Sequence, residues 1–213
     1  MKETIQKISN QLRSKLPGLA AQQKMSPSVR HKGKSFPENN SFVKNSGVLI
    51  LLYPKEGQLH TVFMKRTEYP GAHSGQISFP GGKAEEMDKN LIETATREAE
   101  EELDIKSDQL QILGLLTPLY VPVSSFKIQP VLAYQDTAPE FIPDPTEVSE
   151  VIEVAIQSLF DPVNRKTELL EKNEYKIISP YFDVHGHHIW GATAMILSEL
   201  REVLNKQALI DNY

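Results

Sequence analysis

Residues 78–105 read SFPGGKAEEMDKNLIETATREAEEELDI, and this stretch decides the fold more than any other part of the chain. It begins as a loop in which Pro80 restricts the backbone, while Gly81 and Gly82 permit angles closed to other residues. Apolar residues then recur at helical spacing over residues 91–103, which predicts an amphipathic helix. A glycine loop that leads into such a helix indicates a place where backbone groups can approach a ligand closely.

Three glutamates of the predicted helix share one face. Glu98, Glu101 and Glu102 stand at positions i, i+3 and i+4, which are neighbours on a helix surface. Their carboxylates repel one another and lie late in the helix, where the macrodipole disfavours anions. A divalent cation would offset both costs, because hard cations bind carboxylate oxygens. The alternative is a solvated acidic surface, the usual meaning of a charge run; the preceding glycine loop favours the metal site.

Composition excludes several classes of protein. The chain has 213 residues, of which 39% are hydrophobic, which fits one large domain or one domain with an extension. Without cysteine there is no disulfide, thiolate nucleophile or cysteine zinc site, and a net charge of −5 argues against a nucleic-acid partner. No apolar run suits a membrane span or a signal peptide, so we expect a cytoplasmic protein with no membrane partner.

Apolar periodicity predicts elements on both sides of the glutamate helix. An N-terminal helix is indicated by four residues at helical spacing: Ile5, Ile8, Leu12 and Leu16. A polar loop or covering arm follows at residues 20–46, so we divide the chain into an extension, 1–46, and a main domain, 47–213. Strands are predicted at 48–53, 61–65, 111–116, 127–134 and 175–182, and helices at 148–160 and 191–207. This irregular alternation indicates an α/β fold with a mixed sheet between helical layers.

The central stretch resembles the signature of the Nudix hydrolases: a glycine, an acid, and Arg-Glu-apolar-x-Glu-Glu on a helix. Gly82 fits the glycine, and residues 97–102 fit the helical part. The acid is Asp88 instead of Glu, and eight residues instead of seven separate it from Arg97. Asp104 replaces a late glycine, and Asp tolerates the left-handed conformation expected after a helix.

The extra residue is similar to the coenzyme A pyrophosphatase branch of that family. The upstream segment resembles the same branch at Arg66, Thr67, Gly75 and residues 79–82, whereas Gly71 stands where the branch usually has Arg. This resemblance implies a Nudix-type α/β/α sandwich with a mixed β-sheet and an N-terminal helical extension. It also implies metal-dependent hydrolysis of the pyrophosphate bond of coenzyme A or its thioesters, giving 3′,5′-ADP and (acyl-)4′-phosphopantetheine.

Roles for individual residues follow from the same resemblance. It implies Mg²⁺ or Mn²⁺ held by Glu98, Glu101, Glu102 and the Gly82 carbonyl. The expected catalytic residues are Glu101, Glu102, Arg97 and Glu147. Arg97 orients the acids through charge-assisted hydrogen bonds. The expected contacts to a coenzyme A-like nucleotide are Arg66, Lys83, Gly81 and Gly82.

Several alternatives stay open from the sequence. The general base is Glu101, Glu102, Glu147 or Glu150, and the last two are also compatible with plain solvation on a helix surface. Arg66 either contacts a substrate phosphate or ends a strand in solvent.

Outside the glutamate helix, the sequence HGHH at residues 185–188 favours a turn over a zinc site. Other candidate functions are hydrolysis of ADP-ribose, NADH or another dinucleotide, and a non-catalytic regulatory module. The N-terminal extension either covers the domain or contributes to a homodimer.

Overall fold

A mixed β-sheet lies at the centre of the computed structural model, which describes residues 1–28, 43–68, 74–122, 124–172 and 175–205. Its helices are α1 (Lys2–Leu12), α2 (Leu19–Gln22), α3 (Leu91–Leu103), α4 (Ile156–Leu159) and α5 (Gly191–Asn205). Its strands are β1 (Lys44–Lys55), β2 (Gln58–Arg66), β3 (Ile77–Ser78), β4 (Gly81–Lys83), β5 (Gln111–Leu115), β6 (Leu119–Val121), β7 (Phe126–Tyr134), β8 (Val148–Ala155), β9 (Arg165–Lys172), β10 (Tyr175–Val184) and β11 (His187–Trp190).

Parallel and antiparallel pairing meet at β1. In the described part of the chain, the main sheet has the order β3-β2-β1-β7-β5, with β4 also on β1, β6 on β7 and β8 on β2. The β1–β7 pair is parallel and the other pairs are antiparallel. Strands β9, β10 and β11 form a separate antiparallel sheet. Because β1 is covered on both faces, it reads as a continuous apolar run from Leu49 to Tyr53, all fully buried.

Alternate residues of β1 face two different hydrophobic clusters, as the pleat of a strand requires. Leu49 and Leu51 pack in the same cluster as Ala95 of α3. Ile50 and Leu52 pack in the other cluster, which contains residues of α1 and α5. Helices therefore cover both faces of the sheet, and the predicted α/β fold with a mixed sheet between helical layers is confirmed.

The N-terminal segment is joined to α5 through one buried carboxylate. Glu199 is completely buried and accepts hydrogen bonds from Gly18 N at 3.0 Å and from Gln22 Nε2 at 2.9 Å. It also accepts hydrogen bonds from Thr117 Oγ1 at 2.6 Å and from Thr117 N at 3.2 Å. The segment after α1 is therefore held against α5 and against the loop before β6.

The helix predicted at residues 148–160 is wrong in its larger part, because residues 148–155 form β8 and only Ile156–Leu159 is helical. Val148, Val151 and Val154 recur at a helical spacing, but Val154 packs on the opposite face of the strand from the other two, and a bulge explains why Val148 and Val151 share a face. Lys65 pairs with Glu150 and the next residue of β2 pairs with Val148, so one residue of β8 is extra. The bulge places Val148 and Val151, three residues apart, on the same face.

Most other predicted elements correspond to observed ones within a few residues. The N-terminal helix ends at Leu12, one turn before Leu16. The loop predicted at residues 20–46 instead contains most of α2, and β1 begins at Lys44, before the predicted domain boundary at residue 47. The helix at residues 91–103 has the predicted bounds, and the strands at 48–53, 61–65, 111–116, 127–134 and 175–182 lie within or overlap β1, β2, β5, β7 and β10. The C-terminal helix begins at Gly191 as predicted and is described to Asn205. Part of the predicted arm, residues 29–42, lies outside the described residues, as does Gly71.

The histidine-rich segment forms a turn followed by a strand. His185 and Gly186 form the turn, and His187 and His188 begin β11. Each imidazole of β11 has a different carboxylate partner, Glu150 for His187 and Glu168 for His188. None of the described helices is long and apolar enough to cross a membrane.

Candidate active site

Capping residues define both ends of α3. Asn90 accepts hydrogen bonds at its side-chain oxygen from Ile92 N at 2.9 Å and from Glu93 N at 3.1 Å, which satisfies two free donors of the first turn. Asp104 ends the helix in the left-handed conformation, at φ 58°, as expected from its place in the signature. With both ends defined, Glu98 and Glu102 lie one turn apart on the same side of the helix.

Three glycines allow α3 and β4 to approach β1 closely. A Cβ atom at Gly47 would lie 2.9 Å from Ala95 N, so only glycine lets the helix pack this near to the strand. A Cβ at Gly82 would overlap the Glu98 carboxylate. Gly81 has φ 151°, and a Cβ there would meet the β1 backbone. The predicted glycine bend is therefore a real constraint, and it brings bare backbone beside the carboxylates.

Glu102 is the most deeply buried of the candidate acids, with 3% of its side chain exposed. Its Oε2 accepts a hydrogen bond from Gly81 N at 2.7 Å, and its Oε1 accepts one from Arg66 Nη2 at 3.3 Å. Burial raises the pKa of Glu102 to about 8, although Arg66 and the Gly81 N–H act in the opposite direction. Glu98 and Glu147 raise this pKa further, so the site has an excess of negative charge.

Arg97 binds three carboxylates at once. Its Nε and Nη2 donate to the two oxygens of Asp88 at 3.0 and 3.1 Å. Its Nη2 also lies 2.9 Å from Glu98 Oε1, and its Nη1 donates to Glu101 Oε2 at 2.9 Å. The hydrogen bonds from Arg97 hold the pKa of Asp88 well below its ordinary value, whereas burial raises the pKa of Glu98. Arg97 thus has the contacts expected of a residue that orients the acids.

Asp88 is a functional candidate that the sequence reasoning missed, since it counted there only as a departure from the signature. Besides Arg97, it accepts hydrogen bonds from Glu85 N and from Thr94 Oγ1, both at 2.9 Å. Its side chain is 4% exposed. Asp88 therefore fixes the guanidinium of Arg97 from the loop side. The available signal was its place as the signature's first acid.

The remaining candidates lie around this centre. Glu147 precedes β8, is more than half exposed and has Oε2 4.0 Å from Arg66 Nη1. Glu150 lies on β8 and contacts His187 Nε2 at 3.2 Å, which turns it toward β11 and away from α3. Lys83 is exposed at the end of β4 and borders a shallow pocket with Glu98 and residues 84–87. Arg66 does not end in solvent, because 22% of its side chain is exposed and its guanidinium turns inward.

The donor set fits a hard divalent cation. The Glu98 carboxylate lies against Gly82, Glu102 accepts a hydrogen bond from the neighbouring Gly81 N–H, and the negative charges of Glu98 and Glu147 both raise the pKa of Glu102. Carboxylate and carbonyl oxygens suit both Mg²⁺ and Mn²⁺. Within the described ranges, no three acidic or histidine side chains converge as a cation site, and both Glu98 and Glu101 are paired with Arg97.

Comparison with known sequences relates the chain to proteins of plants and animals. It is 35% identical over 161 residues to "Nudix hydrolase 15, mitochondrial" of Arabidopsis thaliana, covering 72% of this chain and 56% of that protein. It is 31% identical over 153 residues to "Mitochondrial coenzyme A diphosphatase NUDT8" of Homo sapiens, covering 70% of this chain and 61% of that protein. The chain thus spans about three-fifths of the length of these relatives.

A solved structure and a family model also match this chain. A Nudix hydrolase from M. smegmatis, RenU, superimposes with a TM-score of 0.52 at 16% identity, covering 79% of this chain and 90% of that one. This likeness concerns the fold alone. The model of the NUDIX domain matches residues 43–179, well over half of the chain. The chain belongs to the NUDIX domain family.

Proposed function

We propose that this protein hydrolyses the pyrophosphate bond of coenzyme A or its thioesters, giving 3′,5′-ADP and (acyl-)4′-phosphopantetheine. The observation that carries the proposal is the placement of Glu98 and Glu102 against the Gly81–Gly82 bend, with Arg97 and Arg66 as their cations. The relative named as a coenzyme A diphosphatase supports the substrate class. So does the resemblance of residues 65–82 to that branch of the family.

The proposed metal ligands are Glu98, Glu101, Glu102 and the Gly82 carbonyl. Bound Mg²⁺ or Mn²⁺ would supply charge neutralisation at the pyrophosphate oxygens and a water of lowered pKa. Phosphoryl transfer depends mainly on positioning and on neutralising charge; the side chains of this site would position the metal ligands, and the bound cation would neutralise the charge. Arg97 holds Glu98 and Glu101 at 2.9 Å each, and Asp88 holds Arg97.

Substrate contacts are proposed on the open side of the site. Lys83 is exposed beside Glu98 and lies over a shallow pocket, where its ammonium group can meet a phosphate. Gly82 is partly exposed there, whereas Gly81 is buried and its N–H and carbonyl bond to Glu102 and Arg66, so Gly82 is the better placed of the two for a substrate contact. For the general base, Glu147 is more accessible than Glu102, because more than half of its side chain is exposed. Glu101 is also exposed, whereas Glu150 contacts His187.

Turnover of three substrates tests the proposal directly. Purified protein would be given coenzyme A, ADP-ribose and NADH in turn, each with Mg²⁺ or Mn²⁺, and products would be identified by mass. We expect the highest kcat/KM for coenzyme A, release of 3′,5′-ADP, and loss of turnover with a chelator. A clear preference for ADP-ribose would contradict the coenzyme A assignment, for which Gly71 is the residue that departs from the branch.

A second candidate function is a non-catalytic nucleotide-binding module. In such a module, Glu98, Glu101 and Glu102 would only stabilise the fold. The pairing of Glu98 and Glu101 with one arginine is compatible with such a role, whereas the placement of Glu98 and Glu102 against the Gly81–Gly82 bend favours the hydrolase. Nucleotide binding without any hydrolysis, in the presence of Mn²⁺, would favour this alternative. The cytoplasmic location and the homodimer stay predictions.

A further inference from the structure

Arg66, the last residue of β2, links several elements of the site. Its Nη2 donates to the Gly81 carbonyl at 3.0 Å and to Glu102 Oε1 at 3.3 Å, and its Nη1 lies 4.0 Å from Glu147 Oε2. The guanidinium thus joins the end of β2 to β4, to the last turn of α3 and to the segment before β8. Only 22% of the Arg66 side chain is exposed, so the guanidinium is directed into the fold.

The backbone around Arg66 is fixed from the β8 side. Thr67 N donates to the Glu147 carbonyl at 2.9 Å, and Thr67 Oγ1 donates to the Thr146 carbonyl at 3.1 Å. Ser149, the extra residue of the β8 bulge, donates through Oγ to the Lys65 carbonyl at 3.0 Å. These bonds hold the start of β8 beside the end of β2. The bulge therefore sets the point from which the Arg66 side chain reaches inward.

Gly81, Glu102 and Arg66 form a closed ring of hydrogen bonds. The Gly81 N–H donates to Glu102 at 2.7 Å, Arg66 donates to the other oxygen of Glu102, and Arg66 also donates to the Gly81 carbonyl. Both oxygens of an almost completely buried carboxylate are thereby engaged, as burial of such a group requires. The planar guanidinium can bridge a carbonyl and a carboxylate together, whereas the ammonium group of a lysine acts as a single point charge.

We propose that Arg66 is a positioning residue that fixes Glu102 and the Gly81–Gly82 bend relative to each other, so that the candidate metal ligands are oriented before substrate binds. From the sequence, Arg66 had two readings, a phosphate contact or a side chain in solvent, and the ring gives it a third role. The inference rests on the proposed function in one respect, since it takes Glu102 and Gly82 as metal ligands.

The test measures Mn²⁺ binding to the full chain without substrate, by electron paramagnetic resonance of free Mn²⁺. The variants are Arg66→Met and Arg66→Lys. Lys55→Met is the matched control, because Lys55 ends β1 and pairs with the partly buried Glu153 at 2.9 Å, away from the site. We expect Arg66→Met to weaken Mn²⁺ binding by roughly 10–100-fold, the usual effect of losing a residue that orients metal ligands. Arg66→Lys should lose less, and Lys55→Met should bind Mn²⁺ like the wild type.

Steady-state kinetics with coenzyme A at saturating Mn²⁺ provide the second readout. A positioning role predicts that kcat falls more than KM rises in Arg66→Met. Unchanged or tighter Mn²⁺ binding together with a raised KM would overturn the proposal and make Arg66 a substrate contact. If Arg66→Met does not fold by circular dichroism, the same two measurements on Arg66→Lys decide.

The inference and the proposed function fail in different ways. Weakened Mn²⁺ binding in the variants, with no coenzyme A turnover by the wild type, would leave the positioning role intact and would overturn the proposed function. Coenzyme A turnover by the wild type, with Mn²⁺ binding unaffected in the variants, would do the reverse. A wild-type protein that binds no Mn²⁺ would overturn both.

Discussion

Two glutamates of the described residues are almost completely buried, and they have opposite surroundings. Glu199 in α5 accepts hydrogen bonds from Gly18 N, from Gln22 Nε2 and from the backbone N–H and hydroxyl of Thr117. The shortest donor–acceptor distance for each donor lies between 2.6 and 3.2 Å. All four donors are neutral. Gly18 N lies before α2, and the two donors of Thr117 lie between β5 and β6. Glu199 therefore acts as a structural tie between α5 and the N-terminal segment.

Glu102 in α3 has fewer and weaker partners. It accepts one backbone hydrogen bond at 2.7 Å and one from Arg66 at 3.3 Å, while Glu98 and Glu147 oppose its charge. Its pKa is raised to about 8, chiefly by burial. The contrast teaches that burial of a carboxylate does not define its role. The carboxylate of Glu199 accepts hydrogen bonds from several neutral donors, whereas the negative charge of Glu102 is opposed by two other carboxylates and would be stabilised by a bound cation.

The largest effect that would test this contrast is expected from Glu102→Gln. The amide keeps the shape but loses the charge, so turnover should fall by roughly 10³-fold, about 4 kcal/mol, if Glu102 holds the metal. The thermal midpoint should change by less than about 4 °C, because the weakened hydrogen bonds are offset by removal of a buried charge that Glu98 and Glu147 oppose. Coenzyme A turnover and a thermal melt on the same preparation measure both. Turnover equal to that of the wild type would remove Glu102 from the site.

Glu199→Gln should lower the stability of the protein and leave its turnover nearly unchanged. Its amide nitrogen would face donors that now bond to a carboxylate, so we expect a loss of about 3 kcal/mol in the free energy of unfolding. For a chain of this size the midpoint should fall by roughly 6–12 °C. The kcat per folded molecule should stay within about twofold of the wild type. A large loss of kcat with an unchanged thermal midpoint would show that Glu199 affects the active site, which would contradict the distinction between Glu199 and Glu102.

Asp88→Asn should reduce kcat by roughly 10–100-fold, because Arg97 would lose its bidentate charged partner and hold Glu98 and Glu101 less firmly. The measurement is kcat with Mn²⁺ at saturation. Full activity would mean that the hydrogen bonds of Arg97 to Glu98 and Glu101 suffice without Asp88.

The same variant has a pH signature. Since the native pKa of Asp88 is depressed, its contribution to stability is fully present above the pKa of the unfolded chain, about 4, and is lost as pH falls through the lower native value. The stability difference between wild type and Asp88→Asn should therefore be constant near neutrality and shrink below about pH 4. Urea unfolding from pH 3 to pH 7 would measure it, and a difference that grows in acid would contradict the assignment.

The smallest effect is expected from Thr117→Val. This change removes one hydroxyl donor at 2.6 Å from Glu199 but keeps the backbone donor, so the loss should be about 1 kcal/mol. A midpoint lowered by about 2–4 °C, with unchanged kcat, would fit a tie built from several neutral donors. A loss as large as that of Glu199→Gln would mean that the hydroxyl alone carries the interaction.

Much of the central fold could be predicted because its signals are local. The bounds of α3 follow from apolar residues at helical spacing, and its glutamates share a face by the same geometry. Strand β1 is marked by its unbroken apolar run. The error at β8 has a physical cause, since a bulge across from Lys65 and Arg66 places Val148 and Val151, three residues apart, on one face of a strand. The bulge depends on pairing with β2, about 80 residues away in the chain.

Local patterns in the amino-acid sequence were enough to predict the α3 helix, the shared face of its three glutamates, the glycine bend before it and the resemblance to the Nudix hydrolases. Only the tertiary structure decided that Arg66 turns inward to Glu102, that Asp88 fixes Arg97, that Glu150 faces His187 and that Glu199 ties the N-terminal segment to α5. The reason is the range of the interactions. Helical faces and turns depend on residues a few positions apart, whereas these ion pairs and hydrogen bonds join strands and loops that only the folded sheet brings together.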